Sequence, residues 1–477
     1  MRRKQILLIA TLLAITLMTA CGGSGTSATS TTTNTTQPSN NNPVNQGATF
    51  ITGEDTPLPA VIAFNVTLSS VKLTNSSTSV EALSTPTTVD FARLVGLRAL
   101  LGFNSVTAGS YTSATITLNN PVISFLDLST TPAGVGTING TFAGSATPAT
   151  TTVTVALSKP LVVSSTGLTG LHMHFSLRDS LQLDGAGQLT GVVDPKIQLA
   201  PVRPTDDDAQ VTDLRGALIS VNVAENSFVI QRPGGRQITI AVNGSTSFNG
   251  NNSLSTLAPP AKVEVDGQVQ SDGSILASDV EVVAITNAFI AGPIVNVSPT
   301  SGAVQTVTIL VSESLPDLAG ITPGFPQTID ISQVQNFDIR RVDNWISNFV
   351  FNNTSLVPGQ FIGIGGTLDT TKTPPALVPS RVVLMRQGVD GDLVSGSVTI
   401  VSGNQGSFQI QNNRLLGYIL GAPLDVSTDN KTRFPNINGL TGLQSAGNVT
   451  LSSFGLMLKD NNTGNVRMYA HGVKVQQ

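Results

Sequence analysis

The sequence predicts an all-β fold: an N-terminal β-sandwich followed by three small β-barrel-like repeats. Three observations carry this. The chain of 477 residues is 40% hydrophobic but only 11% charged, with 45 Gly and 26 Pro, a usage that favours turn-rich strands over helices. Its apolar residues alternate with period two, as in Ile62, Phe64, Val66 and Leu68. The region after residue 210 also lays out as one unit repeated three times.

The first element is residues 1–20, where Arg2, Arg3 and Lys4 precede an apolar stretch from Ile6 to Leu17 that is too short to span a bilayer. That layout predicts a secretory signal peptide. It ends in Leu17-Met18-Thr19-Ala20-Cys21, and Cys21 is the only cysteine. The stretch resembles a bacterial lipobox, which implies a lipidated Cys21 as first mature residue, with more than one acyl chain for stable anchoring. Residues 21–56 are then expected to form a disordered tether, because Gly, Ser, Thr, Asn, Gln and Pro bury too little apolar surface to offset ordering entropy. Such a coil spans roughly 30 Å.

The sandwich is expected over 57–203. It opens with the alternating strand of "AVIAFNVTLSSVKLT"; Asp90 then precedes "FARLVGLRALL", whose spacing of Phe91, Leu94, Val95 and Leu101 predicts a short capped helix. Later strands are expected at 111–118, 152–157, 171–177 and 189–193. With Val89-Asp90-Phe91 and Ala108-Gly109-Ser110-Tyr111 in this order, the region resembles the domain-of-unknown-function 4382 family of extracytoplasmic lipoproteins, which implies a transthyretin-like β-sandwich and no known catalytic residues.

The repeats are expected at 210–286, 288–387 and 391–477. They open at Gly216, Gly292 and Gly396, share a Phe-centred segment ("TSFNG", "QNFDI", "TRFPN"), and end in hairpins closing on Val280/Val282, Val382/Leu384 and Val473/Val475. Repeat 1, with Val265-Asp266-Gly267, Asp272-Gly273 and Ala277, resembles the domain-of-unknown-function 5666 family. Repeats 2 and 3 follow its pattern more loosely.

Candidate chemistry is sparse. His172 and His174 lie two apart on an expected strand, so both point to one face and could hold a metal with a third ligand. The simpler reading is the polar face of a half-buried strand. Asp206, Asp207 and Asp208 cluster at the junction of sandwich and repeats, where carboxylates suit calcium or remain solvated; Asp390 and Asp392 invite the same idea. Trp345, in an insertion of repeat 2, is the one candidate platform for stacking a sugar or, alternatively, a plug over an open barrel end. Ser69-x-x-Lys72 has acyl-enzyme spacing, but a strand puts the two on opposite faces. His471 aligns with Ser278 and Ser380, which marks an exposed, non-catalytic position.

A net charge of −4 gives no basic field for nucleic acid. The expectation is therefore a lipid-anchored protein of the cell envelope, at the outer membrane or cell surface, held to the membrane by its N-terminal lipid. It is not expected to be an enzyme or to carry a cofactor, and its ligand would be a glycan or protein. The alternatives are glycan binding through the repeat 2 insertion and a metal-dependent hydrolase using His172 and His174.

Overall fold

The computed structural model describes residues 46–476 except 57, 59, 60, 95–97, 128–133, 233, 234, 250, 251, 340–349, 374, 412–422 and 461–463. Cys21 and Trp345 lie outside the described residues. Those described are almost entirely β.

The N-terminal region folds as two facing sheets. One orders its strands 197–202, 168–176, 46–56 and 99–107; the other is built on Val61–Thr74 and Gly109–Asp127, with 79–81, 87–90, 134–139 and 150–163 at their sides. Alternation places Phe64, Val66 and Leu68 between the sheets, where Phe175 packs 5.5 Å from Phe64 and 4.7 Å from Phe91. Aromatic pairs at this separation add to the area they bury.

In this region two expectations are corrected. The strand Gln46–Thr56, assigned above to the tether, is a central strand of the sandwich, parallel to Leu168–Ser176 and antiparallel to Ala99–Thr107. Its apolar Phe50 and Ile51 are fully buried, one on each face, and compensate for the polar residues around them. The helix after Asp90 is a single 3-10 turn, Phe91–Arg93, and Leu100 and Leu101 belong to a strand. Asp90 accepts the N–H of Phe64 at 2.9 Å, so it ties the turn to the neighbouring strand.

Each repeat follows one pairing scheme. In repeat 1 the strands 210–222, 227–231, 237–241, 261–269 and 275–285 pair first with second, second with third, first with fourth and fourth with fifth. A parallel contact of third with fifth (Ile240 with Ile275) closes the barrel. Its interior holds Leu218, Phe228, Ile230, Val263, Val265, Val280 and Val282, so this small barrel is a packed core. Repeat 3 runs through the same neighbours, including the parallel third and fifth strands, and inserts the helix Gly439–Ala446 between third and fourth. In repeat 2 the third strand, Pro326–Asp330, pairs only with the second among the described residues, and the segment Asn336–Ile339 takes a parallel place beside the fifth.

The Phe-centred segments keep one role throughout: Phe248 pairs with Val280, Phe337 with Val382, and Arg433 bridges Gly472, each parallel to the last strand. The opening glycine of repeat 3 is Gly391 rather than Gly396. Like Gly216 it has no room for a Cβ beside the second strand (Ile410 and Gln411; Ile230 and Gln231 in repeat 1), whereas Gly396 lies open at φ +73°.

Ser278, Ser380 and His471 are the same structural residue, the bulged position of the fifth strand, where the ladder jumps from Ala277 to Asp279, from Pro379 to Arg381 and from Ala470 to Gly472. The facing residues are Gly267, Gly366 and Gly455, and a Cβ on any of them would collide with a carbonyl oxygen of the fifth strand. Gly366→Ala is therefore expected to destabilise the protein by about 1–3 kcal/mol, the usual cost of overpacking, which chemical denaturation will read.

Candidate functional site

The strand Leu168–Ser176 directs Leu171, Met173 and Phe175 into the sandwich core and His172 to the opposite face. The parallel register sets Thr52 beside His172 and Glu54 beside His174. The linker then brings Asp208 across, so that Glu54, His172 and Asp208 present ligand atoms within 4.8 Å of one another. One imidazole and two carboxylates suit a divalent cation.

That seat already holds a positive charge. The Lys474 ammonium, from the last strand of repeat 3, lies 3.3 Å from both oxygens of Glu54 and 3.6 Å from Asp208, while Arg98 pairs with Asp208 at 3.2 Å. Burial would raise the Glu54 pKa, but the His172 hydrogen bond together with Lys474 and Arg98 outweighs it and holds the carboxyl at about 2.

Thr52, His172 and Glu54 also line up as a hydroxyl, an imidazole and a carboxylate, the order of a nucleophilic triad. The directions of the hydrogen bonds argue against that use. The Thr52 hydroxyl donates to the Asp208 carbonyl at 2.7 Å, so it accepts from His172 Nδ1 at 3.1 Å and has no proton to give the ring. Thr52 is also wholly buried.

The other predicted ligands do not join this cluster. His174 is half-buried outside it, and burial lowers its pKa. Asp206 caps its own turn, accepting the Arg203 backbone N–H at 2.9 Å and the guanidinium at 3.2 Å. The Asp207 side chain lies outside the described residues. Asp390 and Asp392 accept hydroxyls of Ser452 (2.7 Å) and Thr450 (2.6 Å) across a strand pair, so cross-strand hydrogen bonds serve them.

A second set of charges had no counterpart in the sequence expectations. Arg215 is fully buried and donates to Glu264 at 2.7 Å and to Glu313 at 3.1 Å, with Asp213 at 3.7 Å. Arg386 reaches Asp266 at 2.9 Å and Asp213 at 3.3 Å, and Arg93 reaches Glu313 at 3.4 Å. Arg93 and Arg215 both stack 5.3 Å from the Phe361 ring, and Arg386 lies 5.1 Å from that of Phe454. Asp213 adopts a left-handed φ of +54° at a bulge, which turns its carboxylate toward both arginines. Burial would raise the Glu313 pKa, but Arg215, Arg93 and Arg232 hold it below its ordinary value. The sandwich and all three repeats contribute to this hub. The available signal was charge inside apolar strands of a chain with few charges, as in "RGALIS" and "VEVDG".

Between repeats 1 and 3 lies a cleft of about 440 Å³. Arg386 and Phe454 of the hub line it, as do Arg98 and Lys474 of the Glu54 cluster. His471 faces it from its bulge; contrary to the expectation of an exposed residue, its ring is half-buried and edge-on to Phe454 at 6.4 Å.

Fold and site thus define a class: a multi-unit β-protein with a sandwich and β repeat units, the first a closed barrel, joined by buried ion pairs and with a cleft between repeats 1 and 3. Within it, residues 215–281 of repeat 1 match the family described as Domain of unknown function (DUF5666). No curated protein and no solved structure matches the chain.

Proposed function

We propose that the protein is a lipid-anchored, non-catalytic binding or structural protein of the cell envelope, displayed on a polar tether, with the cleft between repeats 1 and 3 as its binding site. The observation that carries the non-catalytic reading is the Glu54–His172–Asp208 cluster. It gathers two of the metal-ligand candidates of the sequence, His172 and Asp208, and its cation seat and hydroxyl proton are both engaged in joining units of the fold. The lipobox at Cys21 and the similarity of the N-terminal region to the domain-of-unknown-function 4382 family support the address. A metal-dependent hydrolase would require Lys474 to leave, and Trp345, on which glycan stacking would rest, lies outside the described residues.

The anchor is tested by expressing the full chain and Cys21→Ala in a bacterial host. The parent is expected in the membrane fraction with added acyl mass, and the variant in the soluble fraction without it. Equal partition and unmodified mass for both would remove the anchor.

A further inference from the structure

Repeat 2 lacks the contact that closes its sisters. In repeats 1 and 3 the third strand meets the start of the fifth in parallel, Ile240 beside Ile275 and Val426 beside Met468. Counted back from the bulged residue, the matching place in repeat 2 falls to Leu377, yet the third strand, Pro326–Asp330, forms no ladder there among the described residues. The sequence supplies a reason. The residue before the bulge is Ala277 in repeat 1 and Ala470 in repeat 3 but Pro379 in repeat 2, and proline has no N–H to give a ladder.

The unclosed seam is a slot of about 380 Å³ that reaches inward to Ile290, a fully buried core residue, between walls of Ile321, Ile329, Leu377 and Pro379. Its width limits what can enter. The Cα atoms of the two strands approach within 8 Å, whereas a third strand between them needs two strand spacings, roughly 9.5 Å. An added peptide strand is therefore too thick; an unbranched alkyl chain, with no backbone ribbon, is not. Gln327 lies on the same face of its strand as Ile329 and lines the slot half-buried, and its amide makes no side-chain hydrogen bond among the described residues. Asp330 is the only charge in the described lining, so an anionic head is repelled there and nothing neutralises it. Such a volume, with a mainly apolar lining and few polar groups, is usual for small-molecule sites. We infer that the open seam of repeat 2 binds a single unbranched aliphatic chain with an uncharged hydrogen-bonding head, the chain toward Ile290 and the head at Gln327. The site is separate from the cleft between repeats 1 and 3 and depends on neither that cleft nor the anchor.

The test is equilibrium dialysis of hexanol, octanol, decanol and decanoate against the purified full chain carrying Cys21→Ala, so that no acyl chain of its own competes. Affinity for the alcohols is expected to rise about fourfold with each added methylene until the slot is full. Decanoate at neutral pH should be held at least about tenfold more weakly than decanol, because its charge finds no partner in the slot. Gln327→Leu should weaken decanol about fivefold, the worth of one neutral hydrogen bond. Pro379→Ala restores the missing N–H, should let the seam close and should weaken decanol at least about tenfold. No bound alcohol, equal binding of decanol and decanoate, or parent-like binding of decanol by both variants overturns the assignment. Because chain length and head are varied on the ligand, that comparison stands even if a variant folds poorly.

Discussion

Arg215→Ala is expected to cost about 3–5 kcal/mol, because it leaves Glu264 and Glu313 buried beside Asp213 without their main counter-charge. The loss should exceed that of a core methyl deletion, since a stranded buried carboxylate either bears its desolvation or takes up a proton. It should also appear as separation of units. Limited proteolysis is expected to cut between repeats 1 and 2 in the variant at concentrations that leave the parent intact, with chemical denaturation giving the magnitude. A variant as stable and as resistant as the parent would show that the hub does not hold the units together.

The second large effect is acid sensitivity at Glu54. Its carboxyl is held at about 2 in the folded protein against an ordinary value of 4.5, so the folded state favours the ionised form. A depressed carboxyl contributes stability that is fully present above about pH 4.5 and is lost as pH falls toward 2. The contribution is on the order of 3 kcal/mol. Glu54→Gln should therefore lower stability at neutral pH and flatten its decline between pH 4.5 and 2. Denaturation curves across that window will show whether the slopes of parent and variant differ. Parallel curves would mean that the pairing with Lys474 and His172 contributes nothing.

Much of the repeat architecture was legible in the sequence because turn chemistry is local. Asp272-Gly273 and Asp460 to Gly464 mark hairpins wherever they occur, and Ser278, Ser380 and His471 aligned correctly because each lies in the strand that leaves its hairpin turn. The strand Gln46–Thr56 was missed because its composition is that of a coil. What orders it is a pair of ladders to strands about fifty and one hundred and twenty residues away. The helix expected after Asp90 failed for a related reason, since leucine spacing cannot distinguish a helix from a turn leading into a buried strand. Gly391 was passed over because "DGD" reads as a loop, although in the fold its carboxylates are answered by hydroxyls of the fourth strand. His172 and Asp208 were both singled out, but nothing in a linear pattern joins residues 54, 172, 208 and 474. The hub was illegible for the same reason, since a charged residue on the outward face of a strand reads as solvated until another unit covers it.

The position of Gln46–Thr56 between two partners has a mechanical consequence. A pull at its N-terminal end acts along the strand, so the ladders to Leu168–Ser176 and Ala99–Thr107 are loaded in shear, with many hydrogen bonds bearing the force together. A hairpin edge pulled at its open end would instead unzip one bond at a time. A load applied at that end therefore enters the fold through the sandwich, at a strand held on both sides.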